Sequence, residues 1–74
     1  MIKELDPVVL TRNLPEHGLE AGDVDWVVMT HRGGKGFEVE FVTLAGETVS
    51  VVTVAADMVR PTRSKEIAHA RSVA

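Results

Sequence analysis

The sequence predicts a mainly β domain, a small five-stranded barrel followed by a short C-terminal helix. Three observations predict it: short valine-rich runs, glycine-rich breaks between them, and a change of hydrophobic period after residue 63. The barrel domain is expected to span residues 1–63 and the helical tail 64–74. A chain of 74 residues has room for one domain, which at this size removes only roughly 60% of the unfolded chain's surface from water. Apolar residues make up 45% of the chain, yet its aromatics are one tryptophan and two phenylalanines. The core must therefore be built from β-branched side chains, which favour strands.

Pro7 to Thr11 is a short apolar run opened by a proline, where a missing N–H does least harm to a ladder, and reads as the first strand. Arg12 to Asp23 loses periodicity and collects Asn13, Pro15, Gly18 and Gly22, the mark of a long connection that closes in a turn at Ala21-Gly22-Asp23. Val24 to His31 is the second strand. Val24, Trp26 and Val28 occupy one phase and Val27 and Met29 the other, so both faces carry apolar residues. Arg32-Gly33-Gly34-Lys35-Gly36 supplies residues that tolerate positive φ and predicts a hairpin.

Gly36 to Leu44 alternates cleanly, with Phe37, Val39 and Phe41 opposite Glu38 and Glu40, as a half-buried strand requires. Ala45-Gly46-Glu47 turns the chain into a fourth strand, Thr48 to Ala55. There Val49 and Val51 are out of phase with Val52 and Val54, and a bulge near Val51 would reconcile them. Ala56-Asp57-Met58 reads as a single helical turn, and Val59-Arg60-Pro61 as a last strand stopped by its proline. From Ser64, a reasonable N-cap, Ile67, Ala70 and Val73 share one side of a short helix, marginal on its own at about eleven residues.

The chain has no cysteine, which excludes disulfides, thiolate zinc sites and cysteine nucleophiles. Met1 to Pro7 has no apolar stretch of signal-peptide length, and no segment approaches the roughly 20 apolar residues of a membrane span. A cytoplasmic location without membrane association is expected. The net charge of −3 disfavours nucleic-acid binding, because phosphate backbones reward a basic surface.

Ile2-Lys3-Glu4-Leu5-Asp6, Leu14-Pro15-Glu16-His17-Gly18-Leu19, Ala21-Gly22-Asp23-Val24 and Glu38-Val39-Glu40-Phe41 occur in that order. With Gly46-Glu47-Thr48 and Val59-Arg60-Pro61, these residues give the chain a pattern that resembles the bacterial domain-of-unknown-function family 4926 over roughly residues 1–63. The resemblance implies an SH3-like barrel with no established activity. It also implies, for members encoded beside toxin-like proteins, an antitoxin or immunity role. Where that family tends to have a glycine and a small residue, this chain has Asp25 and Trp26. The replacement changes the surface of the second strand and admits an engineered interface on a natural scaffold.

His17, His31 and His69 lack metal-motif spacing and read as solvated. Glu38 and Glu40 could form an acid and base pair, but the same spacing is the polar half of an amphipathic strand. The glycine-rich hairpin has no P-loop context. Arg12, Arg32, Lys35, Arg60 and Arg63 could converge on one end of the barrel to contact an anion or RNA, though no aromatic platform accompanies them. Trp26 is either a core anchor beside Val24 and Val28, or an interface residue with Val27 and Met29 nearby.

The expected function is a non-enzymatic protein-interaction module that self-associates through Trp26, Val27 and Met29. No cofactor or metal is called for. A toxin-like protein partner and an RNA-binding barrel are the rival readings.

Overall fold

The computed structural model describes residues 1–73. Five antiparallel strands form one sheet: β1 (Pro7–Leu10), β2 (Val24–His31), β3 (Gly36–Val42), β4 (Thr48–Ala55) and β5 (Val59–Pro61), in the order β4-β3-β2-β1-β5. One face of this sheet wraps around the core. Val8 and Leu10 of β1, Val27 of β2, Phe37, Val39 and Phe41 of β3, Val52 and Val54 of β4 and Val59 of β5 form a single buried cluster with Leu19. Burying each such side chain contributes about 1.5–3 kcal/mol, and valine dominates the cluster because the chain has few larger apolar residues.

The connections follow the turn chemistry. Between β1 and β2, Leu14 and Leu19 bridge around the 3-10 turn Pro15–His17, and left-handed Gly18 lets the chain double back so that Leu19 enters the core. The Asn13 carboxamide oxygen accepts from Ala21 N–H at 2.9 Å, and Asp23 Oδ2 from Glu20 N–H at 2.9 Å, holding the loop's polar backbone groups. The β2–β3 hairpin places Arg32, Gly33 and Gly34 at positive φ. The 3-10 turn Ala56–Met58 joins β4 to β5, and its ends are tied by Ala56 N–H to the Lys35 carbonyl and Thr11 N–H to the Met58 carbonyl.

The structure departs from expectation at three points. The barrel is not closed by hydrogen bonds: β4 and β5 are the two edges of the sheet, and β5 is only three residues long, ending at a proline that has no N–H to donate. No α-helix forms among the described residues, and beyond a turn at Ser64–Lys65 the tail runs irregularly to Val73. Ile67, the largest apolar residue of the predicted helical face, is 93% exposed, so a helix there would have nothing to pack against. Arginine and carboxylate pairs hold the tail instead. The β4 bulge falls at Val49, which has no partner between the pairs Phe41–Ser50 and Val42–Thr48, so Val49 reaches the core while Val51 stays outside.

Candidate interaction surface

β2 decides which residues meet the solvent. Asp25 and Val27 point inward, at 6% and 0% exposure, which forces Trp26 outward, where it is 54% exposed. On the outer face Trp26 lies between Pro7 of β1 and Glu40 of β3, and Glu40 in turn faces Val51 of β4. Strict alternation would carry Met29 inward. The register shift between Val27 and Met29 leaves Val28 unopposed and sets Met29 opposite Glu38, on the outer face, where it is 46% exposed. Val24, Trp26, Val28 and Met29 thereby form one exposed apolar strip along β2.

Val27 is a correction. It is fully buried against the core, so it supports the strip from beneath and offers no contact surface.

Acids border the strip. Glu40 Oε2 accepts from the Thr48 hydroxyl at 2.8 Å, and Glu38 lies 3.5 Å from the His31 ring. Asp25 stands beneath the strip: its Oδ2 accepts from Val42 N–H at 2.7 Å and its Oδ1 from Trp26 N–H at 3.0 Å. Val42 is where the β3–β4 register shifts, so Asp25 holds a backbone donor at an irregular point of the sheet. Burial pushes the Asp25 carboxyl up, against the effect of these two hydrogen bonds and with a smaller push from Glu40. Sequence reasoning places Asp25 on the surface beside Trp26. Its role is internal.

Two of the five cations, Arg12 and Arg60, have a carboxylate beside the guanidinium, and Arg12 and Lys35 both border the Ala56–Met58 turn. Arg12 lies 3.9 Å from Asp57, whereas Arg60 and Arg63 both serve Glu66, through the Arg60 guanidinium and the Arg63 N–H. Arg32 and Lys35 sit in the β2–β3 hairpin, and they and Arg63 form no side-chain ion pair among the described residues. The histidines are dispersed: His17 lies 3.4 Å from Ser50 Oγ, His31 beside Glu38, and His69 in the tail. No metal-holding group of His, Cys, Asp and Glu occurs among the described residues. Within them no helix is long and apolar enough to cross a membrane.

The feature that sequence reasoning missed is the docking of Arg71 on the β1–β2 loop. Its Nε donates to Asp23 Oδ1 at 2.8 Å and its Nη2 to the Gly18 carbonyl at 3.0 Å, while Glu20 lies 3.6 Å away. The Arg71 guanidinium holds the Asp23 carboxyl below the usual carboxylate range. Only the opposite charges could have hinted at the pair, since 48 positions separate Arg71 from Asp23.

Residues 4–61 match the family described as a domain of unknown function, DUF4926, and the chain belongs to it. No curated protein and no solved structure matches the chain.

Proposed function

We propose that this DUF4926 domain is a non-enzymatic protein-interaction module, an SH3-like barrel open along one seam, that self-associates through the outer strip of β2. The return of β5 beside β1 and the 3-10 turn before it support the barrel reading. The observation that carries the interaction reading is Trp26. The chain's one tryptophan stands in water, flanked by exposed Val24, Val28 and Met29, while the core is completed by smaller aliphatic residues and two phenylalanines. Tryptophan is enriched where it becomes buried on association, and a contiguous apolar strip on a small domain marks such a surface.

Glu38 and Glu40 edge the strip and the chain carries a net charge of −3, so two copies meet with their β2 strips opposed and these acids at the rim. Added salt screens the repulsion between the rims and strengthens the association.

Sedimentation velocity over a concentration series tests this, with the emission of Trp26 followed in parallel. The expected result is a dimer or larger species at high micromolar concentration, with a blue shift as Trp26 is buried. Trp26→Ala should weaken association about tenfold or more without unfolding the domain. A monomer at every concentration and salt level, with unshifted emission, would overturn the reading.

A further inference from the structure

The tail occupies a groove that it does not fill. Beyond residue 61, where the family match ends, Glu66 accepts from Arg60 Nη1 at 3.0 Å and from Arg63 N–H at 2.7 Å, which turns the chain back over the body. Arg71 then clips the far end to Asp23, Glu20 and the Gly18 carbonyl. Between these anchors lies a cavity of about 430 Å³, floored by Leu19, Val24, Phe41, Val42 and Val49 and crossed by residues 68–71 and 73. Ala68 and Ala70 remain exposed above it. The volume is of the size that pockets use for ligands, and small alanine side chains leave apolar wall without contacts.

We propose that this groove is a recognition site for an extended segment of a partner protein, one that carries an arginine preceded by bulky apolar residues, and that the tail is its weak intramolecular stand-in. Charge complementarity fixes the arginine. Asp23 receives two nitrogens of one guanidinium while Gly18 and Glu20 address the same group, a planar fork that lysine cannot reproduce. The unfilled volume fixes the apolar residues, one and three positions before that arginine. Tethering fixes why a poor fit suffices: a short linker presents the tail at about millimolar effective concentration, so modest affinity keeps it seated until a better-fitting segment arrives. The groove adjoins the β2 strip at Val24 but uses different residues from Trp26 and Met29.

The test uses full-length protein. Arg71→Ala should release the tail, read as faster backbone motion in NMR relaxation of residues 67–73, with the thermal midpoint nearly unchanged. A labelled peptide of residues 64–73 carrying Ala68→Leu and Ala70→Leu should bind this variant about tenfold or more tighter than the unsubstituted peptide. It should bind the wild-type chain about tenfold more weakly than it binds the variant, because the seated tail competes. Adding Asp23→Asn, or giving the peptide lysine for its arginine, should weaken binding. Trp26→Ala should leave it intact, which separates this site from the self-association surface. A released tail with no binding of either peptide, binding indifferent to Asp23→Asn, or a tail whose relaxation is unchanged in Arg71→Ala would each overturn the proposal.

Discussion

Asp25 is the buried acid among the described residues, and two backbone donors converge on it. Asp25→Ala leaves the Val42 N–H without its partner at an irregular point of the sheet, so urea denaturation should show a loss of about 1–3 kcal/mol. Because burial raises the folded-state pKa of this carboxyl, the folded chain holds the proton more tightly than the unfolded one. That contribution to stability is present below the ordinary aspartate range and is lost as pH rises through the raised value. Asp25→Asn should remove this component, so the difference in urea midpoint between the two proteins should vary with pH in the mildly acidic range and then level off.

Glu66 has the opposite sign. Hydrogen bonds from the Arg60 guanidinium and then from the Arg63 N–H lower its pKa from 4.5 to about 2. Its hold on the tail is present above the ordinary value and lost as pH falls toward about 2. A carboxyl chemical-shift titration by NMR should place its midpoint at about 2, and Arg60→Ala should raise it, while the Arg63 N–H still holds it below 4.5.

The strands behave according to how each was specified. Leu10 of β1 is 1% exposed, and Leu10→Ala should cost about 2–5 kcal/mol, measured by thermal or urea melting. Gly34 in the β2–β3 hairpin has φ +97° and open space where a Cβ would stand, so Gly34→Ala should cost about 1–2 kcal/mol through backbone conformation alone. The two faces of β3 are legible, because Phe37, Val39 and Phe41 alternate with two glutamates and polarity leaves one choice of face, whereas its end is not, since the strand read to Leu44 stops at Val42. The faces of β2 are not legible: with apolar residues in both phases, alternation cannot say which set is inside. Neither Val28 nor Val49 announces a bulge by its residue type, since valine is at home in any strand. In β4 the phase break between Val51 and Val52 does signal a bulge, but only the register with β3 puts it at Val49, and in β2 the register with β3 alone reveals the extra residue.

For the molecule as a whole, the open sheet leaves two edges and a tail held by exposed ion pairs. Exposed pairs weaken in salt, whereas association of two acidic copies through an apolar strip gains from it. Raising ionic strength should therefore loosen the tail, seen by NMR relaxation over residues 67–73, while promoting the larger species in sedimentation. A parallel fall in both would show that the tail itself bridges the copies.

By itself the sequence determined the family, the number of strands and their succession along the chain, the glycine hairpin and the two-faced character of β3. These rest on local rules: alternation, turn-forming residues and proline placement act within a few positions of the chain. Tertiary structure alone decided that Trp26 faces water while Asp25 and Val27 face the core, because that choice depends on which side of β2 the other strands cover. It also decided that the tail is clipped down instead of helical. The carboxylates that hold Arg71 lie some fifty residues earlier in the chain, and no period within the tail encodes their position.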